Sequence, residues 1–300
     1  MSNRFDQFRT FLKATTGVAL ENDQWQAAEQ RLAPLAGRLG LSVDDLIDRF
    51  LRHSDPKLSA AVIDAMMTNE TFFFRDRKPF ELFRDVILPR LLERKRDDRR
   101  LRIWSAGCAN GAEIYSTVLT LSQRCSRRPI DRGRFAFTGS DFNADAIEQA
   151  RRGRFTSWHM RGCAERMRDQ YFQHLADGDW QLDRDILEKV DFFCHDLLDG
   201  SEIETQDFIF CRNVLIYLDP ASMAQVVDRL YRWLAPDGVL YLGYAEAVLA
   251  GDHPGLELID SSLAAYRRRT FELTTLPVPV LLPPIPLEPL RINPMRPQLA

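Results

Sequence analysis

The sequence predicts a doubly wound α/β domain preceded by an all-helical one, and three observations carry that prediction. Residues 101–116, LRIWSAGCANGAEIYS, read as a buried strand, a turn of small residues and a helix opening near Gly111. Later apolar runs, FAFTGS at 135–140 and FIFC at 208–211, end in polar residues and alternate with helical patterns, the rhythm of parallel strands. Residues 1–68 show only helical periodicity.

In that first region Phe5, Phe8 and Leu12 share one helical face. A second helix, capped by Asn22 or Asp23, turns Trp25, Ala28 and Leu32 inward. Ser42 with Asp45 reads as a capping box before Leu46, Phe50 and Leu51, and a fourth helix is expected from Lys57 to Met67. Eight basic and nine acidic residues leave residues 1–68 close to neutral, so a small helical cap and a docking module are both open. Next, TNETFFFRD at 68–76 follows neither period. It reads either as a linker whose phenylalanines plug an interdomain seam, or as a lid carrying Asn69, Thr71 and Arg75 into a cleft. A helix over 78–94 and the charged loop ERKRDDRR lead to the first strand.

The turn AGCANG at 106–111 is small enough for backbone N–H groups and a helix N-terminus to approach a ligand closely. Three residues separate Gly107 from Gly111, so the dinucleotide fingerprint is not met. No Lys-Ser/Thr pair follows, which excludes a phosphate-cradling loop. A glycine-poor turn suits a cofactor without a pyrophosphate, S-adenosylmethionine being the common one; a purely structural βα turn is the alternative. Asp141, at the tip of the second strand, stands where such folds bind a ribose, or else caps the helix over 143–152 in competition with Asn143.

Residues 153–190 break the βα rhythm and suggest a small inserted element, with a short strand at Trp180–Leu182. Strands resume at 190–194 and 208–211, the latter followed by Arg212, Asn213 and Tyr217 at its C-terminal end. A helix opens at Pro220, the turn Pro236-Asp237-Gly238 leads to a strand over 239–242, and runs at 256–259 and 263–267 read as an antiparallel edge hairpin. Eight of the 16 prolines fall in residues 277–297, so residues 271–300 are expected to form a tail outside the fold.

A net charge of −3 and a pI near 6.0 give no push toward nucleic acid or anionic membrane. Five cysteines without CxxC spacing argue for free thiols and against a zinc site or disulfide frame. With no signal-like or membrane-spanning run, a cytoplasmic protein is expected. The five histidines are scattered, and no Ser/His/Asp or Cys/His constellation stands out.

Five motifs in order, NETFFFRD, RIWSAGCANGAEIYS, SDFNADAIEQARRGRF, DFIFCRNVLIYLD and APDGVLYLGYAEA, closely resemble the CheR family of chemotaxis receptor methyltransferases over residues 3–268. The resemblance implies a Rossmann-like S-adenosylmethionine (AdoMet) domain over 77–270, an N-terminal helical domain over 1–76, and a small β-subdomain inserted at about 155–193. It implies methyl transfer to glutamate side chains on chemoreceptor cytoplasmic helical bundles, by a monomer using no metal. It places Asn69, Thr71, Gly107, Glu113, Asp141, Asp196, Leu197 and Asn213 about the cofactor. Arg75 and Tyr217 flank the point of methyl transfer, Arg75 also touching the cofactor. In some members the β-subdomain grips a receptor C-terminal peptide.

The chain departs from the family pattern where Gly111-Ala-Glu113-Ile-Tyr115-Ser replaces GEEPYS and where Asp196-Leu197, after His195, replaces Asn-Leu. Gly243-Tyr-Ala-Glu246 stands for GHSE. These departures mark a divergent branch that could serve a non-flagellar chemosensory pathway. They keep open a non-catalytic AdoMet-binding adaptor, and a methyltransferase for a small molecule remains a further alternative; neutral charge argues against RNA.

Overall fold

The computed structural model describes residues 2–16, 20, 24–52, 55–66, 71–94, 100–124, 133–243, 246–247, 253–260 and 264–269. The expected caps Asn22 and Asp23, the site residue Asn69 and the proline-rich tail lie outside these residues.

Four helices come first: α1 (Ser2–Thr16), α2 (Trp25–Arg38), α3 (Val43–Leu51) and α4 (Pro56–Met66). They close on one core in which Phe8, Leu12, Leu32 and Phe50, from the faces read in the sequence, are joined by Ile47 and Val62. Phe8 meets Phe50 edge-on at 5.5 Å. Ser42 caps α3, accepting the Asp45 N–H at 3.0 Å, while α2 starts behind Gln24, which makes no side-chain cap.

The helix expected over 78–94 is divided. Residues Lys78–Leu82 (α5) and Leu88–Arg94 (α6) flank a wide π-turn at Phe83–Ile87. Pro89, just beyond it, has no N–H to give and a ring that crowds the carbonyl four residues back, so the ladder widens there.

The main sheet has seven strands: β1 (Leu101–Ala106), β2 (Phe135–Asp141), β6 (Val190–Cys194), β7 (Gln206–Cys211), β8 (Leu234–Leu242), β9 (Leu256–Asp260) and β10 (Ala265–Arg268). Their spatial order is β6-β2-β1-β7-β8-β10-β9, with β6 through β8 parallel and the last pair antiparallel. Side chains alternate across it. Ile103, Phe208, Phe210 and Tyr241 join one buried layer with α7 (Ala112–Arg124) and α8 (Ala144–Arg152). Trp104, Ile209 and Leu240 join another with α11 (Pro220–Trp233). Burial on both faces is why these strands read as continuous apolar runs.

Three local readings are refined. Pro236-Asp237-Gly238 does not precede a separate strand; it bulges out within β8, between the pairs Gln206–Leu234 and Phe208–Val239. The cap of α8 is Asn143, whose Oδ1 accepts the N–H groups of Asp145 and Ala146, so Asp141 does not cap it. The inserted sheet comprises β3 (Arg154–Phe155), β4 (Phe172–His174) and β5 (Trp180–Leu182), with β5 central, α9 (Glu165–Tyr171) before β4 and α10 (Arg184–Leu187) after β5. It ends before residue 190 rather than at 193, because Val190–Cys194 pairs with β2 in the main sheet.

Candidate active site

The strand order reverses between β1 and β7, and in such sheets ligands bind beyond the carboxyl ends of the strands at that switch point. A cavity of about 330 Å³ opens there. It is lined by Gly107 after β1, Asp141 ending β2, Asp196 and Leu197 after β6, and Asn213 and Tyr217 after β7. Glu113 from the first turn of α7, and Thr71 and Arg75 from the segment before α5, complete the set. All the residues expected at the site, apart from Asn69 outside the described residues, therefore share one cavity.

The turn after β1 is held by the neighbouring strand: Gly107 and Cys108 both donate their N–H to the Ser140 carbonyl at 2.8 Å. Gly107 has φ +75, and a Cβ there would fall 2.4 Å from a Val214 methyl. Only glycine lets the two turns meet. Ala109, also left-handed at φ 47, donates its N–H to Asp141 Oδ2 at 2.8 Å, and Asn143 donates to Oδ1 at 3.0 Å. Asp141 thus couples the first two βα turns at the cavity wall.

Glu113 is fixed from two sides. Ser105 Oγ donates to Oε1 at 2.8 Å, and the Arg212 guanidinium donates to Oε2 at 3.1 Å. Arg212 is 4% exposed in its side chain; it also donates to Asp76 Oδ2 at 2.6 Å and reaches the Arg75 carbonyl at 3.4 Å. One buried cation therefore ties the segment 71–76 to the wall that carries Glu113.

Parts of that segment answer each expectation, with Asn69 outside the described residues. Phe73 is fully buried, edge-on to Phe155 at 4.7 Å and Phe172 at 5.1 Å, and donates its N–H to the His159 carbonyl. It plugs the seam to the small sheet. Thr71, Phe72 and Arg75 line the cavity instead. Phe74 and Asp76 sit at φ 55 and 57, a conformation costly for residues with a Cβ; the Ser116 hydroxyl holds the Phe74 N–H at 2.9 Å.

Beyond β6, Asp196 Oδ1 accepts the Leu198 N–H at 2.9 Å, and Arg229 from α11 donates to the Leu197 carbonyl at 2.7 Å. The replacement of Asn-Leu by Asp196-Leu197 thus leaves both residues on the cavity wall. After β7, residues Leu215–Tyr217 form one 3₁₀ turn, and Tyr217 packs against the helical core while facing the cavity. Ile63 of α4 lines the cavity too, so the N-terminal helices supply part of its wall.

Two residues without an expected role emerge. Arg212 and Glu246 both lie in quoted motifs, yet only the fold shows a buried arginine spanning two carboxylates and a buried glutamate beneath the third βα turn. Cys108, expected to be free, is buried, and burial pushes its thiol well up.

A switch-point cleft with a carboxylate at the end of β2 and a tight βα turn after β1 defines an α/β protein that binds a nucleoside-type cofactor. The chain belongs to the CheR methyltransferase family: residues 69–262 match its SAM-binding domain. It is 32% identical to a chemotaxis protein methyltransferase of Vibrio parahaemolyticus over 81% of this chain and 89% of that protein. It is likewise 32% identical to chemotaxis protein methyltransferase 1 of Pseudomonas aeruginosa, over 81% and 90%. A probable biofilm formation methyltransferase of Pseudomonas aeruginosa, WspC, is 34% identical over 89% of this chain and 62% of its own length.

The cofactor is S-adenosylmethionine, and the residues present fit it. Its sulfonium and ammonium charges suit a wall that holds Glu113, Asp141 and Asp196. Its adenine suits the apolar surfaces of Phe142, Leu197 and Val214. Asp141→Ala is expected to weaken AdoMet binding by about 1–3 kcal/mol, roughly fivefold to 150-fold. Calorimetry is the check; unchanged affinity removes Asp141 from the site and leaves it a tie between two turns.

Proposed function

We propose that this methyltransferase esterifies glutamate side chains on the cytoplasmic helical segments of chemoreceptors. The observation that carries the reading is that Arg75 and Tyr217 line the same cavity as the three carboxylates. The cofactor supplies an electrophilic methyl group on a positively charged sulfur. A glutamate acceptor is already ionised near neutral pH, so the chain need not remove a proton. What it must do is hold the acceptor oxygen in line with the methyl and exclude water.

Arg75 suits the first task, since a guanidinium can hold a carboxylate by paired N–H donors while leaving one oxygen edge open. The Tyr217 hydroxyl orients the same group. Phe72 and Phe80 on the cavity wall would limit water, and Glu113 and Asp141 would hold the amino and ribose parts of the cofactor. With the cofactor bound, transfer would form a carbon–oxygen ester bond and break the methyl–sulfur bond, and the departing thioether, being neutral, would need no acid from the chain. The small sheet β3-β5-β4 is the part we assign to a receptor C-terminal peptide.

The likeness to WspC, which spans 89% of this chain, favours a second setting for the same chemistry, a receptor that governs biofilm formation rather than flagellar movement. Labelled AdoMet incubated with receptor fragments of the same cell tests the reading. Fragments bearing glutamate at the acceptor positions should take up label, and their glutamine versions should not. Equal labelling of the two sinks the carboxylate assignment, and AdoMet binding without transfer to any fragment favours an adaptor.

A further inference from the structure

Glu246 is fully buried, yet its carboxylate is surrounded by donors. Oε1 accepts the backbone N–H groups of Val214 and Leu215, each at 2.7 Å. Oε2 accepts those of Asn213 at 2.9 Å and Gly243 at 2.6 Å. Three of these four donors belong to consecutive residues of the turn after β7. That turn carries Asn213 and Val214 on the cavity wall and delivers Tyr217 two residues later. Asn213 is left-handed at φ 59, a conformation asparagine adopts more readily than most residues, and the N–H groups of residues 213–215 converge on this one carboxylate.

We propose that Glu246 is a positioning residue of the methyl-transfer site. Its buried carboxylate serves as the template on which the Asn213–Leu215 turn is set against the cofactor. Burying a carboxylate is costly unless hydrogen bonds offset the lost hydration, and apolar packing would stabilise a mere spacer more readily. Glu246 itself is absent from the cavity wall, so it acts through the turn. Gly243 belongs to the device. A Cβ on Gly243 would fall 2.4 Å from Oε2 and 3.1 Å from the Asn213 nitrogen, so only glycine leaves room for the carboxylate where the turn needs it.

A glutamine at this position is a poor replacement, because its amide NH₂ would face backbone donors where an oxygen now accepts. Aspartate is one methylene too short to meet all four. An alanine removes CH₂COO⁻ and leaves an acetate-sized hollow ringed by N–H groups.

The inference rests on the placement of Asn213 and Tyr217 in the proposed site, and its test is read first on the cofactor, without any receptor. In Glu246→Gln and Glu246→Ala, AdoMet affinity measured by calorimetry should fall at least tenfold. Single-turnover transfer should fall on the order of a hundredfold, as expected for a site displaced by about an ångström. Added acetate should restore affinity and transfer in Glu246→Ala but not in the Gly243→Ala/Glu246→Ala double variant, whose extra methyl fills the hollow. Gly243→Ala alone, which displaces the carboxylate without removing it, should reproduce the loss and covers the case in which Glu246→Ala does not fold. AdoMet affinity and transfer within threefold of the parent in Glu246→Gln or Gly243→Ala overturn the proposal. So does a loss that only follows the folded fraction and ignores acetate. If acetate-dependent AdoMet affinity is found while the parent methylates no receptor glutamate, the acceptor assignment fails and the role of Glu246 stands.

Discussion

Arg75→Ala should lower single-turnover methyl transfer by two to three orders of magnitude while AdoMet affinity stays within a few-fold. The expectation follows from where Arg75 enters the cleft. It comes from the segment 71–76, which is anchored independently by the Phe73 plug and by the Phe74–Ser116 hydrogen bond, so truncating its side chain leaves the backbone in place. The residues we propose for the cofactor's charge and ribose, Glu113 and Asp141, sit on other elements. A group that acts once the acceptor arrives affects turnover more than cofactor binding. Tyr217→Phe should show the same pattern to a smaller extent, since it removes one hydroxyl and no charge. Near-normal transfer in both variants places the reacting atoms elsewhere in the cavity; lost AdoMet binding in Arg75→Ala makes it chiefly a cofactor residue.

How far the sequence disclosed this site depends on how local each cause is. The strands over 101–106 and 208–211 were legible because burial on both faces leaves unbroken apolar runs. The place of Asp141 on the cavity wall was legible because the end of a second strand is a fixed place in such folds, although its competing role as a helix cap was removed only by the Asn143 geometry. The segment 71–76 obeyed no period because its residues alternate between a plug, a backbone tie and a cavity wall, three environments within six residues.

Arg212 and Glu246 were not legible as to role. Each depends on partners distant in the chain: Arg212 joins residues 76 and 113, and Glu246 meets residues 213–215. The π-turn in the helix before β1 and the bulge within β8 were missed because each is a displaced ladder inside an otherwise regular element. Their signs, Pro89 and Pro236-Asp237-Gly238, read equally well as an ordinary helix position and an ordinary turn.

The largest loss of stability at the site is expected from Arg212→Met, which keeps the length of the side chain and removes its charge. Arg212 is the single buried cation between Asp76 and Glu113 among the ion pairs of the described residues at this wall. Asp76 is two-thirds exposed and can turn to water, whereas Glu113 is largely buried and cannot. Breaking a buried pair by removing one partner costs about 3–5 kcal/mol, because the remaining charge is left unneutralised. For a domain of this size each kcal/mol lowers the melting temperature by about 2–4 °C, so a fall of roughly 10 °C is expected. Two further effects should accompany it. The Arg75 carbonyl loses its hydrogen bond to Arg212, loosening the stretch in which Phe74 and Asp76 are left-handed, and Glu113 loses one of the two side chains that orient it on the cavity wall. AdoMet affinity should therefore fall even well below the melting temperature, and transfer should fall further than affinity. Arg212→Lys discriminates the causes. It restores a charge near Glu113 but cannot span to Asp76 with a planar fork, so it should recover most of the stability and cofactor affinity yet little of the transfer rate. Full recovery of transfer by lysine would mean that charge alone matters and that the link from Arg212 to the 71–76 segment has no part in the reaction.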